Sequence, residues 1–395
     1  MPTLLDELTA TAEDIRGWRH HIHRHPELAF QEAGTAAFIA GLLRDWGYDV
    51  ADCVGGTGIV ASLSSGSSGR AIGLRADMDA LPMDEDTDAA HRSLVPGVSH
   101  MCGHDGHSAM LLGAARHLAR TRRFDGTVRL VFQPAEEVMG GARAMMRDGL
   151  FERFPMQAMF GLHNMPGLKQ GTLFFTAGPV MAAVDNWEIV ITGKGGHGSM
   201  PEATRDAVVA GASLVMALQT IVSRNIAAKE QAVVTIGAFR AGEAGNVIAH
   251  SATLRLSVRT TTPEARVFVL DRIRAIARAQ CESYEVACAI NEGEPGAVLV
   301  NHEAETAFCA EVARRVAGAD NVVTPGPTFM GSEDFAFFAG AVPCCYGFIG
   351  NGDTPMVHHP GYRFDDRNLA IGAAYWAALA ESRLRRDAGA ADIPA

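Results

Sequence analysis

A thiol and an imidazole stand two residues apart in one short segment, and this pair constrains the chain more than any other feature. They are Cys102 and His104, within residues 100–107. Zinc and related ions prefer thiolate and imidazole ligands, and a catalytic site draws its ligands from several loops while keeping one position open. The segment therefore predicts a metal site, and other parts of the chain must supply the remaining ligands.

Further ligand-type side chains follow three apolar, strand-like runs. Residues 127–133 precede Glu136 and Glu137, residues 158–162 precede His163, and residues 345–349 precede His358. Open α/β sheets build their sites from loops that follow strand ends. The candidate ligands are therefore predicted to gather at one edge of a sheet.

The order of helix-like and strand-like segments predicts an α/β fold, in which helices cover both faces of a sheet. Residues 5–46 are predicted to be helical, up to a stop at Gly47, and residues 108–120 form a further predicted helix. Residues 59–63 and 71–75, joined by a Ser/Gly turn, resemble a strand hairpin.

The pattern changes near residue 182 to strand, helix, two strands, helix and strand, which is the order of a ferredoxin-like unit. A chain of 395 residues also exceeds one ordinary domain. We therefore predict a discontinuous mixed-sheet domain, 1–181 and 294–395, with an inserted α+β domain at 182–293. The Ala/Asp-rich tail after Arg383 is predicted to be frayed.

Composition excludes several classes of partner. The chain has 34 Lys and Arg against 45 Asp and Glu, a net charge of −11, which argues against nucleic acid. Its N-terminus has no basic region before an apolar core, so no secretory signal is predicted. The longest apolar run, 207–218, is shorter than the roughly 20 residues of a membrane span. Seven cysteines form no regular framework, which suits reduced thiols and a cytoplasmic protein.

The glycine-rich segment 193–198 satisfies G-x-G-x-x-G and raises the alternative of an NAD-type oxidoreductase. Its context disagrees with that function, because Pro201 comes before the next helix and nothing acidic lies between Asp206 and Glu230 to hold a ribose. The glycines are instead predicted to let the backbone bend so that His197 projects toward a neighbouring site.

Two further alternatives concern other histidines and the thiol. The histidine-rich start, with its four histidines at 20, 21, 23 and 25, is predicted to be a surface feature of a helix rather than a metal site. A thiol enzyme that uses Cys102 with His104 is the other alternative, but it would give the Glu136–Glu137 pair no role in catalysis.

Nearly the whole chain resembles the dinuclear-metal aminoacylase and carboxypeptidase-like amidohydrolases, specifically the hippurate hydrolase and auxin-conjugate hydrolase subgroup. The matching segments are 23–28, 74–82, the Cys102 loop, 132–137, 161–164, 193–202, 331–335 and 358–360. The resemblance implies hydrolysis of N-acyl amino acids to a carboxylic acid and a free amino acid.

The resemblance also implies a role for each matching residue. It makes five residues the ligands of two divalent ions, namely Cys102, His104, Glu137, His163 and His358. Glu136 would be the general base, and Asp79 would orient a ligand imidazole. The wider family has His-x-Asp where this chain has Asp77-Met78-Asp79, so the role of Asp77 stays open.

For the inserted domain, the resemblance implies a lid and dimerisation unit, and hence a homodimer or higher homo-oligomer. His197 would reach an active site, often the partner subunit's, and Asn246 and Arg259 would hold the substrate carboxylate. A thiolate ligand favours zinc over magnesium or calcium, and the resemblance admits manganese, cobalt or nickel.

Overall fold

A computed structural model of the chain describes residues 2–386, in two compact units. The first unit comprises the chain up to Gly178, Val300–Pro327 and the chain from Asp334 onward, and the second comprises Pro179–Leu299 with Thr328–Glu333. Beyond residue 386, the tail that was predicted to be frayed lies outside the described residues.

The helices and strands are given in chain order. Between residues 4 and 181 they are α1 (Leu4–Thr9), α2 (Ala12–Arg24), α3 (Ala33–Asp45), β1 (Asp49–Val54), β2 (Gly58–Ser65), β3 (Ala71–Asp77), α4 (His104–Thr121), β4 (Gly126–Gln133), α5 (Gly141–Arg147), α6 (Leu150–Arg153), β5 (Ala158–Met165), β6 (Leu173–Phe174) and β7 (Gly178–Met181). Next come β8 (Ala183–Thr192), β9 (Gly196–His197), α7 (Ala207–Thr220), β10 (Ala232–Ala241), β11 (Val247–Ile248), β12 (Ser251–Thr260), α8 (Pro263–Ser283) and β13 (Ala287–Glu292). The last are β14 (Leu299–Asn301), α9 (Glu303–Ala317), β15 (Val322–Val323), α10 (Phe335–Ala339), β16 (Cys344–Gly350) and α11 (Asn368–Arg383).

The main sheet of the first unit is mixed, with the described strands in the order β1-β2-β4-β3-β5-β16-β6-β15. Strands β4, β3, β5 and β16 run parallel to their neighbours within that series. Every residue of β3, β5 and β16 is buried, which explains their nearly continuous apolar sequences. Parallel strands end at a common edge, so the segments that follow β3, β4 and β16 emerge there, together with the end of β5.

The predicted hairpin of 59–63 with 71–75 is wrong. Strand β2 pairs antiparallel with β1 and β4, whereas β3 pairs in parallel with β4 and β5. Strand β4 therefore lies between the two predicted partners. The local pattern showed two strands and a turn but did not show a third strand, some fifty residues later, that separates them.

The second unit has a four-stranded antiparallel sheet in the order β10-β12-β8-β13. Its elements follow the predicted order of strand, helix, two strands, helix and strand. Helix α7 is capped by Asp206, whose carboxylate accepts from the amide of Val208 at 2.8 Å. The unit also takes in Thr328–Glu333, which the predicted boundaries of 182–293 leave out, because Phe329 pairs with Met181 and the amide of Ala182 donates to the carbonyl of Gly331.

Within the described residues, α7 and the π-helical turn Ile221–Asn225 that extends it form one helical stretch, Ala207–Asn225, which is long and apolar enough to cross a membrane by length and composition alone. The apolar run 207–218 of the sequence analysis is the first part of this stretch. Apolar core helices pass the same test, and Leu214 and Leu218 of this helix lie in the core of the second unit. Its outer face is apolar as well, with Val209 and Met216 exposed.

Candidate metal centre

The structure brings all five predicted metal ligands together at the edge where the parallel strands end. Cys102 lies in the loop before α4, and His104 is the first residue of that helix. Glu137 follows β4, His163 lies near the C-terminal end of strand β5, and His358 lies in the loop after β16. Apart from Cys102 and His104, these residues are far apart in sequence, and the sheet topology makes them neighbours.

The ligand atoms form two groups that share one thiol. Cys102, His104 and His163 form one group, and Cys102, Glu137 and His358 form the other, with ligand atoms in each group within 4.8 Å of one another. The Cys102 Sγ lies 3.4 Å from His163 Nε2, and His358 Nε2 lies 3.3 Å from a Glu137 oxygen. Ligands bonded to one zinc-like ion stand about 3 to 4 Å apart, so the spacing fits metal coordination.

Two buried polar atoms in this cluster lack a hydrogen-bond partner, and they face each other. They are His104 Nε2 and Glu137 Oε1, which lie 3.8 Å apart. A buried polar atom without a partner is destabilising, and a cation between these two atoms would satisfy both. The donor set of this chain therefore fits a metal ion.

The electrostatics of the cluster also fit a bound cation. Burial, together with the nearby charge of Glu137, raises the pKa of the Cys102 thiol well above its usual value. Burial, together with neighbouring His107, lowers the pKa of His163 well below the usual range of histidine. A neutral imidazole is ready to coordinate, but the thiol loses its proton beside two carboxylates only if positive charge compensates.

Asp79 joins two of the candidate ligands. Nδ1 of His104 lies 2.9 Å from the main-chain oxygen and 3.2 Å from the carboxylate of Asp79. The other carboxylate oxygen accepts from the amide of Glu137 at 3.0 Å. When Nδ1 of His104 donates to Asp79, the Nε2 lone pair is directed at the cluster, which is the arrangement expected of a residue that orients a ligand.

The neighbouring Asp77, whose role the sequence left open, is occupied by other partners. Its carboxylate accepts from His107 Nδ1 at 2.6 Å and from Arg75 at 2.7 Å. His107 Nε2 in turn accepts from the amide of Asn164 at 3.0 Å. This chain of contacts fixes the peptide after His163, and sequence reasoning missed both His107 and Asn164.

Gly103, between the first two candidate ligands, is required by the packing of the loop. It has a φ of 94°, and a Cβ there would lie 2.2 Å from Asn164 Nδ2 and 2.6 Å from the Tyr362 hydroxyl. A left-handed conformation and a close approach both demand glycine. The Cys-Gly-His spacing thus has a steric reason as well as a chemical one.

Glu136, the predicted general base, is buried, and its carboxylate lies 4.0 Å from His104 Nε2. Its loop contains two non-glycine residues with positive φ, Ala135 at 52° and Met139 at 56°. His358 has a φ of 66°. Such conformations are disfavoured for residues with a Cβ and concentrate at functional sites.

The prediction that the N-terminal histidines are a surface feature is wrong for His23. That side chain is buried, and its ring nitrogens lie 2.8 Å from Asp105 and 3.2 Å from Glu85. Burial alone would lower the pKa of His23, but the charge of Asp105 and the two hydrogen bonds raise it to about 9. The two carboxylates thus explain why a histidine is stable inside this unit.

In the second unit, His197 and Asn246 lie on adjoining segments. Strand β9 pairs with β11, so that His197 stands opposite Val247, and the carbonyl of Asn246 accepts from the amide of Gly198 at 2.8 Å. His197 is exposed, and its Nδ1 accepts from the Ser199 amide at 3.2 Å. This contact assigns the proton to Nε2, so that the exposed nitrogen is a donor.

Arg259 does not lie with these two residues. It is near the far end of β12, eight residues beyond Ser251, where β12 adjoins the glycine-rich segment. At 3.3 Å per residue this separation is about 26 Å. Arg259 donates to the carbonyl of Met330 at 2.8 Å, so part of its guanidinium holds the segment that returns to this unit.

The glycine-rich segment itself does not have the dinucleotide-binding arrangement. It contains the short strand β9 and is followed by a single 3-10 turn, Pro201–Ala203, and α7 begins only at Ala207. A pyrophosphate site needs a helix N-terminus directly after the glycines.

The chain belongs to peptidase family M20/M25/M40, whose family model matches residues 73–382. It is therefore an amidohydrolase, which sets aside the oxidoreductase and thiol-enzyme alternatives.

Among relatives, the chain is 41% identical over 382 residues to the hippurate hydrolase of Campylobacter jejuni, covering 97% of this chain and 100% of the relative. It is 35% identical to an N-acetyl-L-cysteine deacetylase of Bacillus subtilis, over 95% of this chain and 89% of the relative. Among solved structures, the YXEP protein of Bacillus subtilis, described as a dinuclear metal-binding peptidase of the M20 family, matches with a TM-score of 0.84 and 32% identity, over 95% of this chain and 99% of that chain.

Proposed function

We propose that this protein hydrolyses the amide bond of N-acyl amino acids and releases a carboxylic acid and a free amino acid. The observation that carries the proposal is the cluster of five candidate ligands, three of them buried, which has the Glu136 carboxylate 4.0 Å from His104 Nε2 at its side. The hippurate hydrolase and N-acetylcysteine deacetylase relatives act on substrates of this class by name.

The ligand set would hold two divalent ions, with Cys102 shared between the two groups. Zinc or manganese is our first proposal for their identity, and cobalt or nickel are the alternatives. Thiolate and imidazole ligands favour such ions over magnesium and calcium. Bound there, divalent ions supply a water of lowered pKa and polarise a carbonyl.

Two side chains of the protein would then move or stabilise charge. Glu136 accepts the proton of the attacking water and returns it to the leaving amine, as a general base and then a general acid. His197, with its proton on Nε2, donates to the oxyanion that forms on the carbonyl oxygen.

The positions of the lid residues favour a dimer as the active form. His197 and Asn246 belong to segments that adjoin the start of β12, and Arg259 lies about 26 Å from that start, at Ser251, so a small N-acyl amino acid cannot touch both ends. If all three bind one substrate, two copies of the chain must contribute to each site. Asn246 and Arg259 are proposed to hold the substrate carboxylate.

An apolar surface of the second unit is available for such a dimer. Strand β10 is an edge strand in the described sheet, and Val233 and Phe239 of this strand are exposed, as are Val209 and Met216 of α7. Unpaired strand edges and exposed apolar side chains favour association with another chain. We propose that two copies pair along this surface.

The first test combines elemental analysis with hydrolysis of N-acetyl, N-benzoyl and indole-acyl amino acids, with and without a chelator. We expect about two metal ions per chain, as for dinuclear hydrolases, and cleavage that the chelator abolishes. Glu136→Gln should keep the metals and lose a factor of about 10² to 10⁴ in kcat, whereas the exposed Glu152→Gln should match the wild type. A metal-free protein that cleaves none of these amides would contradict the proposal.

A mixing experiment tests action across a dimer. His197→Ala and Glu136→Gln chains are each expected to be nearly inactive alone. A mixed dimer contains one intact site if His197 acts in the partner subunit, so activity should reappear on mixing. If no activity returns although mixed dimers form, His197 acts within its own subunit.

A further inference from the structure

Two strained residues from distant parts of the chain lie beside each other near the predicted base. Phe30 has a φ of 61° and Ala135 a φ of 52°, and neither is a glycine. The ring of Phe30 lies 3.3 Å from the ideal Cβ position of Gly140, in the same turn as Ala135. Left-handed conformations of residues with a Cβ persist only where the surroundings enforce them.

One buried carboxylate contacts both of these residues. Glu32 is fully buried, and its Oε1 accepts from the amide of Phe30 at 3.0 Å and from the amide of Ala135 at 2.8 Å. Its other oxygen accepts from the Thr57 hydroxyl. Both amides are accepted by the same oxygen, so a side chain without that oxygen leaves these two donors unpaired.

Glu32 has no part in capping its own helix, although it directly precedes α3. Its side chain makes no cap hydrogen bond there. The side chain of Glu27 caps the first turn of α3 instead, because its carboxylate accepts from the amides of Gly34 at 3.0 Å and Thr35 at 2.7 Å. The contact of Glu32 with Ala135 therefore cannot be explained by the needs of the helix.

The peptide that Glu32 holds leads directly into Glu136. The carbonyl of Ala135 accepts from the amides of Gly140 at 3.2 Å and Gly141 at 3.0 Å, which closes the loop around Glu136. The amide of Ala135 is thus fixed by Glu32 and its carbonyl by the turn. With both ends held, the direction in which the next side chain leaves the backbone is set.

We infer that Glu32 is a positioning residue, whose carboxylate holds the strained peptide of Ala135 and so aims Glu136 at the metal-ligand cluster. The inference rests on the proposed function, in which Glu136 is the base. It places a determinant of the turnover rate in the segment before α3, about a hundred residues from the base itself.

The direct test compares Glu32→Ala with Glu27→Ala as the matched control. Both remove a carboxylate that accepts backbone amides in the same segment, but only the first contacts the catalytic loop. We expect Glu32→Ala to lower kcat on the order of 10- to 100-fold, as for a displaced catalytic group, with KM and metal content unchanged. Glu27→Ala should keep the wild-type kcat. An equal loss in both variants, or a loss of metal in Glu32→Ala, would overturn the inference.

A double mutant separates positioning of Glu136 from a general structural effect. In the Glu136→Gln background, Glu32→Ala should cause no further fall in kcat, because the group that Glu32 positions is already gone. A second fall of the same factor would show that Glu32 acts elsewhere and would refute the role. If Glu32→Ala does not fold, Glu32→Asp takes its place, since it stays a carboxylate but is one methylene too short to reach Ala135.

Amide hydrogen exchange tests the contact without any substrate. Peptides that contain Ala135 should exchange faster in Glu32→Ala than in Glu27→Ala, and equal exchange would overturn the inference. If the wild type cleaves no N-acyl amino acid, the proposed function fails, whereas faster exchange would still support the clamp. The two failures are therefore distinguishable.

Discussion

Replacing Asp79 with asparagine should weaken metal binding by an amount that follows from its contacts. The carboxylate contacts His104 Nδ1 at 3.2 Å and the Glu137 amide at 3.0 Å, and both partners are candidate ligands. An asparagine offers one oxygen, so it keeps one of these contacts at most. Loss of such a supporting contact weakens metal affinity by about 10- to 100-fold.

For Asp79→Asn we expect a loss of metal affinity at the lower end of this range of about 10- to 100-fold. The main-chain oxygen of Asp79 also accepts from His104 Nδ1, at 2.9 Å, and the substitution leaves that bond in place. We therefore expect Kd for the bound ion to rise about tenfold, or about 1.4 kcal/mol. Competition with a chromophoric chelator measures the change in affinity directly.

The control for this prediction is Asp125→Asn. Asp125 accepts from the amides of Ser67 at 2.7 Å and Ser68 at 2.8 Å, but it lies at the opposite end of β4 from Glu137. This variant should keep the wild-type metal affinity. If Asp79→Asn binds metal as tightly as the wild type, the reasoning that Asp79 orients both ligands is refuted.

Three more predictions concern stability. Because the pKa of His23 is raised to about 9, its ion pair with Asp105 stabilises the fold fully below about pH 6.5, and this stabilisation is lost as the pH rises toward 9. The free energy of unfolding of the wild type, measured by urea titration, should therefore fall by roughly 3 kcal/mol over this pH range. The free energy of unfolding of His23→Gln should not change over the same range. Gly103→Ala should destabilise the protein by roughly 1 to 3 kcal/mol, because alanine disfavours the positive φ of this position. The clash of the new Cβ with Asn164 should also reduce the metal content, and unchanged metal binding would contradict this steric argument. Chelation should lower Tm, since an ion at 100 times its Kd stabilises by about 2.7 kcal/mol, and an unchanged Tm would mean that the site does not hold the ion in the folded state.

The sequence indicated the main parts of the site because its donors follow strand-like runs. Glu137 and His358 come after β4 and β16, and His163 lies near the end of β5. The rule that ligand-bearing segments gather at the ends of parallel strands was enough to place these residues at one edge. The grouping needed no knowledge of strand order, and this is why it succeeded although the predicted hairpin of β2 with β3 failed.

Strand order itself could not be predicted from local patterns. The insertion of β4 between β2 and β3 depends on pairings such as Val60 with Val131 and Leu74 with Leu130. These apolar residues have no individual signature, and many registers would bury them equally well. A pairing between segments separated by a long helix is decided by the packing of the whole unit.

The supporting residues around the site were missed for a different reason, namely that their roles depend on partners far along the chain. His23 is separated from Asp105 by 82 residues, and Glu32 from Ala135 by 103. A charged or titratable side chain in an amphipathic segment is normally exposed, and that expectation is reversed only when a distant partner compensates for burial. Both partners stand next to residues of the predicted site, because Asp105 follows His104 and Ala135 precedes Glu136. A buried charge whose partner adjoins a functional residue is therefore a useful sign of positioning, and it becomes visible only after the fold has brought the two segments together.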